Sequence, residues 1–219
     1  MNENEPKPLV PWIKEMANFN LKEKYDRDVF TALTKLLKLN KLDMENLRKI
    51  LSEEEIKILT NYTDAEGVPN VFEINRKTRN GEKLTSEEQT YFDIINKILN
   101  CFSMPIDVLL YRSFSISDLS QCDMFDENGK PKIGSVLSFK SLTSTSFNIL
   151  SSLDYLKINK CKFNIFCKIN CKKGSKGLCL LELSKKKSDY EFLIPYGTKY
   201  RINNAVKKEN NFTFEIEII

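Results

Sequence analysis

The sequence predicts an α+β fold, with helices gathered in its first half and strands in its second. Three observations carry this expectation. Up to about residue 104, apolar side chains recur near the helical period and two capping boxes open helices. After Pro105 the pattern changes to short apolar runs of strand length, separated by turn residues. At 219 residues the chain is long enough to bury a sizeable core, as one domain or two tightly joined lobes. Segregation of helices before strands points to α+β rather than to alternating units. The expected organisation is a disordered 1–8, a helical lobe over 9–104 and a β-rich core over 105–219.

In chain order, residues 1–8 are polar, and Pro11-Trp12-Ile13 begins a helical region. Leu21, Tyr25, Val29, Leu33, Leu36 and Leu37 form an apolar stripe near the helical period. A further helix is expected from Asp43 to Leu51. Ser52 with Glu55 has capping-box spacing and opens a short helix through Ile56, Ile58 and Leu59. Gly67 and Pro69 punctuate the chain. Val71 to Arg79 reads as a helix closed by Asn80-Gly81. Thr85 with Glu88 is a second capping box, leading a helix whose inner face is Tyr91, Ile94, Ile95 and Ile98. Strands are expected at Val108–Tyr111, Val136–Phe139, Phe163–Ile169, Leu178–Leu183, Glu191–Ile194, Lys199–Ile202 and Phe212–Ile219, with Ser144-Thr145-Ser146 on a further strand edge.

Composition excludes much. The chain is 41% hydrophobic and 29% charged, as in soluble globular proteins. Its net charge of +4 allows an acidic ligand without implying nucleic acid, which calls for a concentrated basic face. No apolar run approaches the length of a membrane span. The first residues are acidic and polar, so no signal peptide is read. The chain acts where it is made, leaves by a device that reads no such signal, or lacks its natural beginning. There are 0 histidines. Serine–histidine and cysteine–histidine pairs, H-E-x-x-H zinc sites and histidine bases are therefore impossible. No P-loop and no G-x-G-x-x-G turn is present. The 6 cysteines contain no C-x-x-C pair, and Cys167 and Cys171 share a strand face with Ile165 and Ile169, as small apolar residues in a reducing compartment would. No metal site is expected. Any catalysis falls to carboxylates, arginines and hydroxyls.

Three motifs can carry such chemistry. Asp189 and Glu191 stand two apart at the mouth of the apolar run Phe192-Leu193-Ile194. In extended backbone they would share a face, roughly 6.5–7 Å apart, with Tyr190 pointing away. Arg112, in Tyr111-Arg112-Ser113-Phe114, ends an apolar strand and can aim a planar five-donor fork at a phosphate. Ser144-Thr145-Ser146 offers hydroxyls that can hold a sugar or orient a carboxylate. Each has an ordinary alternative when taken alone: solvated charges at a loop–strand junction, a surface arginine, a plain β-rich strand. Seven lysines and no acids lie between Lys157 and Lys176. They either steer an acidic partner or form a solvated basic edge that discourages strand pairing.

Arginine, then Ser-Thr-Ser, then a final glutamate on successive strands resembles the bacterial mono-ADP-ribosyltransferases of the arginine–serine–glutamate class. The resemblance covers most of the chain. Leu110-Tyr111-Arg112 looks like the family's aromatic–arginine element, and Phe139 through Ser146 like its S-T-S strand. Ser184 to Glu191 looks like its turn-turn loop, followed by Phe192-Leu193-Ile194-Pro195-Tyr196-Gly197-Thr198. Gly174-Ser175-Lys176-Gly177 is similar to the turn before the preceding strand. Tyr62-Thr63 and Ile74-Asn75…Arg79 are similar to the Y-T and I-N-x-x-L-R elements of the two-lobed toxin branch.

The resemblance implies two β-sheets packed around an NAD cleft and flanked by N-terminal helices. It implies cleavage of the nicotinamide–ribose bond of NAD and transfer of ADP-ribose to a protein, as a toxin or effector. Arg112 would bind an NAD phosphate, Asn75 and Arg79 would help hold the diphosphate, and backbone groups of Ser113 would meet the nicotinamide amide. Tyr62, Thr145 and Ser146 would also line the NAD site. Ser144 would hold Glu191. Glu191, ionised at neutral pH, would bond the ribose 2′-hydroxyl and stabilise the oxocarbenium ion. Asp189, where the family usually has Glu or Gln, would favour an arginine acceptor, and Lys186 stands where the loop often has an aromatic. NAD glycohydrolysis, a nucleic-acid acceptor and an inert binding module are the alternatives. The implied partners are an acceptor protein of a host or competitor, reached by secretion or injection, and an antitoxin or translocation component.

Overall fold

The computed structural model describes residues 19–219, apart from 65, 66, 68, 159 and 160, and the side chains of 27–219 without those five and without 157 and 158. The expectations for residues 1–8 and for Pro11-Trp12-Ile13, and those for the side chains of Leu21 and Tyr25, lie outside it. Five helices come first: α1 (Phe19–Leu39), α2 (Met44–Ile50), α3 (Glu53–Tyr62), α4 (Val71–Asn80) and α5 (Ser86–Cys101). Local chemistry fixes their ends. Asp43 caps α2, and both expected capping boxes close at α3 and α5, with Ser52 and Thr85 accepting from the backbone of Glu55 and Glu88. Gly81 ends α4 in the left-handed region, at φ +69°.

The strands are β1 (Val108–Ile116), β2 (Val136–Ser138), β3 (Thr143–Ser146), β4 (Phe163–Cys171), β5 (Leu178–Cys179), β6 (Glu191–Ile194), β7 (Lys199–Lys208) and β8 (Asn211–Ile218). They form one eight-stranded sheet in the order β2-β7-β8-β4-β1-β3-β6-β5. The β4–β8 pairing is parallel and the rest antiparallel. The two expected sheets are thus two arms of one, joined through a single register pair, Tyr111 opposite Ser146. Side-chain alternation keeps the arms packed together. Phe192 and Ile194 of β6 join Leu110, Ile165, Cys167, Ile169, Phe212, Phe214 and Ile216 in one core. Leu193, between them, faces the opposite way and joins Leu142, Leu178 and Leu180 in a second core under α2–α5. Gly177 sits where β5 meets β6. At φ +144°, a Cβ there would lie 2.6 Å from the Phe192 ring and 2.7 Å from the Leu193 carbonyl oxygen.

Three readings are corrected. An unforeseen helix, α6 (Ile149–Ile158), follows β3, its first turn capped by Asn148, whose side-chain oxygen accepts from Leu150 N–H. The expected strand Leu178–Leu183 stops at Cys179, because the chain turns at Leu181–Leu183 to enter the next loop. The strand β4, at the centre of the lysine-rich segment, is not an edge, since it lies between β1 and β8. Two lysines of the segment meet acids of β8: Lys168, the one lysine within β4, is 3.8 Å from Glu215, and Lys172, just past the strand end, is 3.4 Å from Glu217.

Candidate active site

The junction of the two arms opens into a cleft of about 250 Å³, and all ten residues singled out from the sequence line it. Each reaches it by a different route. Arg112 shares the inner face of β1 with Leu110 and Phe114, at the point where the core opens. Its guanidinium lies 5.8 Å from the Phe114 ring centroid and 5.5 Å from that of Phe139, which holds the fork without neutralising it. Nη1 donates to the Ser144 carbonyl oxygen at 2.5 Å, and buried Nε has no partner among the described residues. Ser113 turns its hydroxyl to Ser152 of α6, 2.9 Å away.

Glu191 opens β6 opposite Ser146, so Ser144, two residues back, is its diagonal neighbour. Ser144 Oγ donates to Glu191 Oε1 at 2.5 Å. The other two hydroxyls of the strand are engaged by backbone. Thr145 Oγ1 donates to Phe192 O at 2.7 Å, and Ser146 Oγ to Asp189 O at 2.6 Å. They line the cleft while holding the strand and loop that shape it.

The Asp189–Glu191 pair differs from the extended geometry expected. Lys187–Asp189 is a 3-10 turn, and Tyr190 takes a left-handed conformation at φ +47°. This reversal turns the Tyr190 ring into the core, where it is 6% exposed, and leaves both acids on the cleft. Both acids thus reach the cleft by a turn instead of a strand.

The opposite wall is helical. Asn75 and Arg79 stand one turn apart on α4, and Tyr62 ends α3. Asn75 Nδ2 donates to the Tyr62 hydroxyl at 3.4 Å, while buried Asn75 Oδ1 has no partner among the described residues. Neither Arg79 nor Arg112 is within ion-pair distance of a carboxylate among the described residues. Burial, with the Arg112 charge second, holds the Arg79 guanidinium below its ordinary pKa. Two cations that repel each other and have no acid between them make a seat for an anion.

The electrostatics correct one expectation. Burial pushes the Glu191 carboxyl up to about 7; the Ser144 hydroxyl and Arg112 oppose the rise and Asp189 adds to it. Glu191 is therefore not fully ionised at neutral pH before a ligand binds, because its oxygens have lost water that one hydroxyl only partly replaces. Asp189 is also raised, by burial.

Phe72, Ser152 and Tyr155 also line the cleft and were not foreseen. Phe72 is one turn before Asn75, a signal the helical period contained. Ser152 and Tyr155 depended on recognising α6. Among the described residues no group of three or more His, Cys, Asp or Glu could hold a metal ion, and no helix is long and apolar enough to cross a membrane.

Two arginines beside a desolvated glutamate, in a cleft between the two arms of the sheet, can seat an anion and can face positive charge with negative. The sequence model of ADP-ribosyltransferase exoenzymes matches residues 38–218. The chain belongs to that family, whose members use NAD as the ADP-ribose donor. Solved structures with this fold include Plx2a, an ADP-ribosyltransferase toxin from Paenibacillus larvae, at 22% identity over 85% of this chain and 96% of that one, with a TM-score of 0.60. C3stau2 from S. aureus, solved with NAD, is 17% identical over 77% of this chain and 88% of that one, at 0.59. The ADP-ribosyltransferase Vis, solved with agmatine, is 14% identical over 77% and 75%, at 0.59. No curated protein sequence matches the chain.

Proposed function

We propose that this ADP-ribosyltransferase cleaves the nicotinamide–ribose bond of NAD and transfers ADP-ribose to an arginine of a target protein, as a toxin or effector. The observation that carries the proposal is Glu191: a desolvated carboxyl, bonded by Ser144, in one cleft with Arg112 and Arg79, neither of which has an acid partner among the described residues. Arg112 and Arg79 seat the diphosphate. The unpartnered Asn75 Oδ1 and Arg112 Nε supply an acceptor and a donor for the ligand's hydroxyl and phosphate groups. Ser113 presents its backbone to the nicotinamide amide. The positive charge of the bound nicotinamide ring favours the ionised form of Glu191, offsetting the burial that raises its pKa.

As the C1′–N bond breaks, its electron pair leaves with nicotinamide and positive charge spreads over the ribose. Glu191 stabilises that charge and accepts a hydrogen bond from the 2′-hydroxyl. A guanidinium nitrogen of the target then forms the new bond to C1′ and gives up a proton. Asp189 is the carboxylate placed to pair with that guanidinium and to take the proton. Agmatine in the Vis structure is a guanidine, which supports a cleft of this fold receiving one.

Secretion or injection into another cell, where the target protein lies, is part of the same proposal, as is an antitoxin or translocation partner. The test is incubation with labelled NAD and a cell lysate, then mass spectrometry of the labelled proteins. ADP-ribose on arginine is the expected result. Free ADP-ribose alone, or label on nucleic acid, would replace the proposal with the hydrolase or nucleic-acid reading.

A further inference from the structure

We infer that Tyr155 of α6 forms one wall of the acceptor subsite, its ring receiving a planar guanidinium face-on while Asp189 pairs with the guanidinium edge. The inference deepens the proposed function and rests on it. Two observations favour Tyr155. First, the loop before Glu191 offers the cleft no aromatic of its own, because Tyr190 is turned into the core. Second, Tyr155 lines the cleft with the two acids and remains 48% exposed, so its ring is available to a ligand. Phe72, 58% exposed, is the other open aromatic of the cleft, but it shares the α4 face with Asn75 and Arg79 on the diphosphate side.

The position of Tyr155 is held by more than its own contacts. Ser151 Oγ donates to the Ser188 carbonyl oxygen at 2.7 Å, tying α6 to the loop that carries Asp189. Ser152 shares its 2.9 Å hydroxyl contact with Ser113, tying the same turn to the floor of the cleft. Tyr155 lies one turn further along, on the face these serines define. Helix, loop and strand are thus bonded together around the site where acid and ring converge. Burial raises the Tyr155 hydroxyl to about 12, and the nearby Asp189 and Glu191 charges add to the rise. A guanidinium suits such a site because it is planar, stacks on aromatic faces and pairs edge-on with a carboxylate.

The test compares wild type, Tyr155→Ala and Tyr155→Phe with NAD and agmatine as a small soluble guanidine. Nicotinamide release without acceptor and agmatine ribosylation are both measured, and circular dichroism checks folding. Tyr155→Ala is expected to lower the ratio of agmatine ribosylation to NAD hydrolysis about tenfold, through KM for agmatine. Tyr155→Phe, which keeps the ring, is expected to hold the ratio within about twofold. An unchanged ratio in Tyr155→Ala, or equal loss of both activities, overturns the inference and leaves the proposed function standing. So does a wild type that hydrolyses NAD and ignores agmatine. A wild type that releases no nicotinamide brings down the proposed function, and the inference with it.

Discussion

Replacing Glu191 by glutamine should stabilise the protein, and more so at high pH. The glutamine amide keeps an oxygen that can accept from Ser144 Oγ, so the hydrogen bond survives while the charge is removed. The Glu191 carboxyl is raised from an ordinary 4.5 to about 7 by burial. A raised acid binds its proton more tightly when folded. Its unfavourable contribution is absent below about pH 4.5 and grows as pH rises through 7. At about 1.36 kcal/mol per pH unit, the cost is about 1 kcal/mol at pH 5 and about 3 kcal/mol at pH 8. Glu191→Gln recovers it, raising the melting temperature by about 5–10 °C at pH 8 and by only about 2 °C at pH 5. Thermal unfolding of both proteins at the two pH values is the assay. A gain equal at both pH values, or a loss at pH 8, would refute the claim that Glu191 is held in a desolvated site against its own ionisation.

Other outcomes follow from the same geometry. The kcat/KM for NAD hydrolysis should rise with pH through about 7, following ionisation of Glu191, and a profile flat from pH 6 to 8 would contradict this. Asp189→Ala should lose protein labelling at least about tenfold more than nicotinamide release, and equal loss would remove Asp189 from acceptor choice. Arg112→Lys, which keeps the charge and gives up the fork, should weaken NAD binding about tenfold or more by titration calorimetry, and unchanged affinity would take Arg112 out of the anion seat. Gly177→Ala should cost about 2–4 kcal/mol in urea unfolding, because its Cβ would strike the Phe192 ring and the Leu193 carbonyl. A loss under 0.5 kcal/mol would mean that the turn leading into β5 yields easily.

The parts of the fold legible in the sequence were those with a local chemical cause. Ser52–Glu55, Thr85–Glu88 and Asn80-Gly81 mark helix ends because caps satisfy backbone groups within a few residues. Arg112, Ser144 and Glu191 were legible through their order along the chain. What stayed hidden depended on distant contacts. The run Ile149 to Ile158 carries apolar residues on several faces and reads as easily as strand. Its start was marked only by Asn148, and its length is decided by packing against β1 and β3. The left-handed Tyr190 could not be read from spacing, because a tyrosine takes φ +47° only where the surrounding structure imposes it, here by burying the ring. The lysines between Lys157 and Lys176 suggested an edge, and only the topology shows acids of β8 beside Lys168 and Lys172. The raised Glu191 carboxyl is likewise a property of the assembled cleft.

The central claim is that a single carboxylate answers the positive charge formed when nicotinamide departs. Nicotinamide release from NAD, compared between wild type and Glu191→Gln at pH 8, tests it most directly. Wild type should turn over and the folded variant should lose at least about a hundredfold in rate. Comparable rates, from a variant shown to bind NAD, would place the chemistry on some other group.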